Sequence, residues 1–537
     1  MDPNAQAAAA ARKRVYALLI TVAAGMVAGR ILAAELVYEP SLNKPDKPDS
    51  TDRRRLWPKS RPQPMPSFGS NDRSRWATVR ALVDGDPASG QPAGTFVIGR
   101  RDRNLMIASA IAPLAASDSL SQTALLAAGY QTRTRNDRGI IFEDGWQSVD
   151  KVLNPRTLEF FSSKPPLLSV LVAALYWLLQ LVTGWTLADH PFAVMRTILL
   201  LINLLPFVVY LVLLSRLLER HGTTDWGRFF TMAAACFATY ATTFAVTLNN
   251  HSLAMYCVLF ALYPLVGQAA ALARPGSLPE SSASPVEDGT RGRLPYVAAG
   301  LFASFAACLE LPATSFAAAL LVFLLWRNPL RTLLFFVPAA ALPLAAFLLS
   351  NYAAMHEWRP AYEKFGTHWY EYEGSHWQKP PPGQVKHGID WAGAKESRTS
   401  YALHLLVGHH GLFSLTPLWL LSAWGMLRLS LSPGSLHLRR LAVLTLLLTV
   451  VVVGFYLVKS DNYGGWTSGL RWLMWLSPLW LLCLLPIADH LSESRGARGL
   501  GYLLLGWSIL SVSYPAWNPW RHPWIYRLME ALGWQGY

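Results

Sequence analysis

"KPPLLSVLVAALYWLLQLVTG", residues 164–184, decides how the rest of the chain is threaded. Counted as a full membrane span, it inverts every later loop. Read as a helix lying in or dipping into the outer leaflet, it leaves the arginines in alternate loops. These are Arg216, Arg220 and Arg228; Arg274, Arg291 and Arg293; Arg327 and Arg331; Arg428, Arg439 and Arg440; and Arg495 and Arg498. Basic residues concentrate in the cytoplasmic loops of polytopic proteins, so the second reading is the one the charges favour.

Upstream, Arg12, Lys13 and Arg14 precede an apolar run with no small-residue cleavage pattern after it. This predicts a cytoplasmic N-terminus (1–14) and a first transmembrane helix over 15–34. A large external loop, 35–191, follows. It opens with "SLNKPDKPDSTDRRRLWPKSRPQPMP" (41–66), too polar to span and too rich in proline for a helix. Downstream, apolar runs near 192–215, 229–248, 252–273, 295–309, 312–326, 332–350, 412–427, 441–458, 473–488 and 499–515 bring the total to about eleven spans. They divide into a core over 192–350, an external loop over 351–411, C-terminal spans over 412–515 and an external tail over 516–537.

The expected fold class is therefore an all-α polytopic membrane protein whose first external loop carries juxtamembrane helices. Composition agrees: 52% of the 537 residues are hydrophobic and only 15% are charged. The net charge of +14 falls largely between apolar runs, where it orients helices, so nucleic acid is excluded as a partner. Cys236, Cys257, Cys308 and Cys483 all lie in apolar segments without CxxC spacing, which signals neither a disulfide framework nor a zinc site.

External chemistry must then come from a few short stretches. In "NDRSRWATVRALVDGD" (71–86), Trp76, Val79 and Val83 recur at helical spacing. That predicts an interfacial helix over about 72–84, its apolar stripe in the membrane surface and Arg73 and Arg80 toward water. Asp72 at its start is placed to cap free N–H groups. Lys164, ahead of Pro165-Pro166, is held at the mouth of a helix, where an ammonium suits a lipid phosphate or snorkels to the interface. "TLNNHS" (247–252) puts Asn249, Asn250 and His251 at membrane depth, where polar groups need partners or water. Glu310 is an acid between two short spans, either functional or salt-bridged. His404, His409 and His410 occur without metal-ligand spacing, and no metal site is assigned to them. "KSDNYGGWTSGLRW" (459–472) offers Tyr463, Trp466, Arg471 and Trp472, suited to a sugar or pyrophosphate, or to a tryptophan belt with an anchoring arginine.

The order of these pieces resembles the GT-C superfamily of membrane glycosyltransferases. The similarity is greatest to the branch of protein mannosyltransferases using dolichyl-phosphate mannose and of bacterial transferases that place aminoarabinose on lipid A. In that branch an Asp-Glu-x-x-Tyr motif on a juxtamembrane helix precedes a Lys-Pro-Pro-Leu helix and a span opened by an arginine. A second external acid follows. Here "DRSRW" (72–76), "KPPLL" (164–168) and Arg196 in "PFAVMR" take the first three places, and His251 stands where the second acid would be. Arg73 replaces the motif's Glu and Trp76 its Tyr. The insert over about 87–150, including "RNLMIASAIAPLAASDSLSQ", has no counterpart.

The resemblance implies transfer of a sugar from a polyprenyl-phosphate donor to a lipid, protein or polysaccharide acceptor, outside a bacterial-type inner membrane. It implies Asp72, flanked by Arg73 and Arg75, as general base, and Lys164, Arg75 and Arg471 on the lipid phosphate. Asn250, His251, Glu310 and Tyr463 would orient substrate. No cofactor is required beyond a divalent metal, which some members need and others do not. The alternative is a transporter or flippase for a lipid-linked or anionic substrate, but no internal repeat is seen and the polar residues gather at one face.

Overall fold

The computed structural model describes residues 3–36, 63–86, 90–101, 137–271, 292–379, 396–431, 436–515 and 517–534. The insert stretch 103–122, most of the Pro- and Arg-rich stretch 41–66, Arg274, Arg291 and residues 387–395 lie outside them. In chain order the elements are α1 (Pro3–Ala33), α2 (Ser70–Val83), β1 (Gly99–Arg100), β2 (Lys151–Leu153), β3 (Glu159–Ser162), α3 (Pro166–Thr183), α4 (Pro191–His221), α5 (Asp225–Phe237) and α6 (Asn250–Ala271). There follow α7 (Leu294–Leu309), α8 (Thr314–Arg327), α9 (Pro329–Met355), α10 (Arg398–Leu406), α11 (Leu418–Leu431), α12 (Leu436–Lys459), α13 (Ser477–Leu491), α14 (Arg495–Ser513) and α15 (Trp524–Ala531).

The chain divides into two compact units. A helical unit holds Met1–Arg61, Leu199–Ala345 and Gly383–Tyr537, and a mixed unit holds Pro62–Ile198 and Ala346–Pro382.

Among the described residues, six helices are long and apolar enough to cross a membrane, which marks a membrane protein: Gln6–Ala33, Pro166–Thr183, Pro191–His221, Pro329–Met355, Leu438–Lys459 and Arg471–Leu491. Asn250–Val266, Leu294–Leu309, Leu311–Arg327 and Leu418–Leu431 are shorter apolar helices. The segment assigned to the leaflet surface, 164–184, forms a helix that by length and composition is able to cross. The run 229–248 is not one helix: α5 stops at Phe237 and a separate turn, Ala241–Phe244, follows.

In the helical unit, α1 begins well before the expected residue 15, and Arg12 meets Glu219 at 2.5 Å and Asp225 at 3.3 Å. Asp489, near the end of α13, accepts hydrogen bonds from Thr223 N–H (2.8 Å), Thr224 N–H (2.9 Å) and the Thr224 hydroxyl (2.7 Å). These contacts gather the start of α1, the α4–α5 turn and the α13–α14 turn at one end of the unit. Elsewhere glycine permits helices to touch. A Cβ on Gly425 of α11 would overlap the backbone carbonyl of Cys483 in α13, and one on Gly300 of α7 would overlap that of Phe336 in α9.

The mixed unit contains what an all-α reading leaves out, a three-stranded antiparallel sheet in the order β1-β3-β2. Phe160, fully buried in the central strand, lies opposite Gly99 on one side and Leu153 on the other. The β2–β3 hairpin turns at Asn154-Pro155. The Asn154 side chain accepts from the N–H of Arg156 at 2.9 Å, and Leu158 takes a left-handed φ of 60°. Val97, Val152, Phe161, Met355 and Tyr370 pack into one cluster, and Leu153 N–H reaches Trp369 O at 2.9 Å, tying residues 346–379 into the unit.

Local chemistry sets the ends of α2 and α3. Asp72 occupies the third position of α2 and accepts from the N–H of Phe68 (3.3 Å), one residue ahead of the N-cap Gly69. This is the backward reach of a capping-box acid. Pro166 starts α3 and left-handed Gly184 ends it. Asp84, at the C-terminus of α2, clamps the two helices together: it accepts from the Tyr176 hydroxyl (2.6 Å), the Gln180 amide (2.9 Å) and Leu187 N–H (3.0 Å). Burial raises the Asp84 pKa above its ordinary 3.8, against the opposing pull of these donors. An acid whose folded pKa is raised stabilises the fold below its unfolded pKa and loses that contribution as pH rises through the folded value. The thermal midpoint of wild type should therefore fall with pH above about 3.8 relative to that of Asp84→Asn. A constant difference between the two would remove Asp84 from the pH response.

Candidate functional site

The residues expected to carry chemistry fall into two groups, one in each unit. In the mixed unit, α2 is buried nearly all round: Asp72, Trp76 and Val79 are at 0% exposure, Arg75 at 3% and Arg80 at 5%. Arg80 is thus buried and does not face water as expected. Arg80 instead pairs with Glu143 at 2.6 Å and lies over the Trp146 ring at 4.9 Å, a buried cation matched by a carboxylate and a π face. Desolvation lowers the Arg73 pKa, with Asp72 and Asp144 working against it.

Lys164 stands between β3 and α3. Its Nζ meets Asp150 Oδ1 at 2.8 Å, and the side chain retains 23% exposure. The same segment touches α2. Ser74 Oγ donates to Asp150 O at 2.5 Å and lies 2.7 Å from Ser162 Oγ, while Ser162 Oγ accepts from Lys164 N–H at 3.1 Å. One turn of α2 therefore carries Asp72, Ser74 and Arg75, and a short hydrogen-bonded path joins it to Lys164. Arg75 bonds its own helix through Asn71. Asp150 is the member sequence reasoning missed, since nothing in its neighbours marks it as the partner of a lysine fourteen positions on.

In the helical unit, His251 Nδ1 lies against Glu310 Oε1, both side chains nearly buried. Asn250 donates to Leu309 O at 2.9 Å and to Glu310 Oε1 at 2.5 Å. The polar residues of "TLNNHS" and the acid at 310 are thus one cluster, and histidine and asparagine are the acid's partners. Asn249 serves the backbone, donating to Phe244 O at 2.7 Å. Arg471 donates to Gly464 O at 3.0 Å and lies over the Trp520 ring at 5.0 Å. Trp520 meets Phe244, and Phe244 meets His251, so an aromatic path links Arg471 to the His251–Glu310 pair. Tyr463 is apart from these, 1% exposed and donating to Glu396.

No family model, curated protein or solved structure matches the chain.

Proposed function

We propose that the chain is a GT-C-like membrane transferase, moving a sugar from a polyprenyl-phosphate donor to an acceptor at the outer face of a bacterial-type inner membrane. The observation that carries this reading is the Asp72–Ser74–Asp150–Lys164 arrangement, which puts a carboxylate and a partly exposed lysine in one small unit. Asp72 takes the proton of the acceptor nucleophile. As the bond from the sugar's anomeric carbon to the phosphate oxygen breaks, negative charge grows on the departing lipid phosphate, and Lys164 with Arg75 stabilises it. Taken by itself, the helical unit offers Asn250, His251 and Glu310 as a cluster suited to a polar group and Arg471 as a cation suited to a phosphate.

Charge-assisted hydrogen bonds contribute about 1.5–3 kcal/mol, so Lys164→Ala should weaken polyprenyl-phosphate binding by about 10- to 100-fold. Lys164→Arg should restore part of it. Titration of the purified protein with polyprenyl phosphate measures this, and unchanged affinity in Lys164→Ala would remove Lys164 from the phosphate site. The reaction itself is tested by mass spectrometry of cell-envelope glycans with and without the gene. A sugar species lost on deletion and restored by the wild-type gene supports the reading; identical glycan profiles overturn it.

A further inference from the structure

Within the helical unit lies a second constellation that the proposed transfer does not use. Glu396, just before α10, His404 within it and His409 just after it each offer a ligand atom, and the three atoms lie within 4.8 Å of one another. The side chains of Glu396 and His404 are half-buried and that of His409 is fully buried, so the group is enclosed on one side and open on the other. The rings of His404 and His409 stack at 4.1 Å. Gly408 makes this possible, because a Cβ there would collide with His404 Nδ1.

We propose that Glu396, His404 and His409 form a binding site for one zinc-type divalent cation, with a fourth position open to water or a ligand. Two imidazoles and a carboxylate are a donor set that suits zinc, and metals of this class bind at about 2.0–2.2 Å. Tetrahedral donors at that radius stand about 3.4 Å apart, so the three atoms need to close by about 1.4 Å at most, which side-chain rotation supplies.

The groups around the three are those a metal site uses to orient its ligands. Ligating histidines commonly engage their second ring nitrogen, and ligating carboxylates are themselves hydrogen-bonded. Here His409 Nδ1 faces His410 Nδ1 at 2.5 Å, and the Tyr463 hydroxyl donates to Glu396. His522 and Tyr526 close the far side, with ring centroids 4.1 Å apart. A cation here would tie the start of the 396–409 segment to its end, and the site stands whether or not the chain transfers sugar.

The test uses the full-length protein, purified in detergent and stripped with a chelator. Titration with Zn²⁺ should show one equivalent bound per chain, and Co²⁺ should give the intense visible absorption of a four-coordinate site. His404→Ala and His409→Ala should each weaken Zn²⁺ binding by about 100-fold or more, and Tyr463→Phe by roughly 10- to 100-fold. His376→Ala, in the other unit, should leave it unchanged. Absence of stoichiometric Zn²⁺ binding by wild type, or a Co²⁺ spectrum no stronger than that of the hydrated ion, overturns the proposal whatever the variants do. Equal affinity in wild type and a folded His404→Ala/His409→Ala double variant overturns it as well.

Discussion

Asp72→Asn should leave the chain folded and able to bind polyprenyl phosphate while lowering sugar transfer by about 10²- to 10⁴-fold, the range a general base contributes. The substitution isolates chemistry from structure. Asn is nearly isosteric, and its side-chain oxygen can still accept from Phe68 N–H, the bond that holds the start of α2. What disappears is the capacity to take a proton. Turnover in a reconstituted membrane measures the first effect, and thermal unfolding with polyprenyl-phosphate titration measures the second. Transfer at the wild-type rate would leave Asp72 as a capping residue alone and pass the base to another group. Loss of folding would show that the buried charge, beyond the hydrogen bond, is needed by the helix.

The largest expected effect on stability belongs to Gly425→Ala. A single methyl there overlaps the backbone carbonyl of Cys483, and backbone cannot swing aside as a side chain can. Overpacking of this kind costs about 1–3 kcal/mol, occasionally more. The control is Gly454→Ala in α12, where a Cβ would have nothing within 4 Å and the gain in helix propensity is about 1 kcal/mol. The two changes add the same atom to the same type of element and should move the thermal midpoint in opposite directions. A Gly425→Ala protein as stable as wild type would mean that α11 and α13 can separate without loss.

The helices were legible because burial in lipid or protein demands long apolar runs, and because Pro165-Pro166 and Gly184 mark ends by backbone chemistry alone. The sheet was not. Its strands are two to four residues long, too short for alternation to register. The one available sign was the turn pair Asn154-Pro155 between Val152-Leu153 and Phe160-Phe161. The environment of α2 was misread for a related reason. Spacing shows which residues share a face, but Arg80 is buried because Glu143 and Trp146, more than sixty positions away, complete it. Both His251 and Glu310 were singled out as polar groups in apolar surroundings, yet that they meet is a fact of α6 and α7 packing that no local pattern carries. Glu396 had no signal of its own until the fold set it beside two histidines.

The near-complete burial of α2 has a bearing on how its residues act. A helix packed on every side has already surrendered its freedom during folding, so the position and direction of the Asp72 carboxylate are fixed before any substrate arrives. Ordering a flexible side chain costs roughly 0.5–1.5 kcal/mol at the moment of binding, and here that cost is met in advance. If Asp72 is the base we propose, the same confinement requires the acceptor to come to it, since Asp72 cannot go to the acceptor.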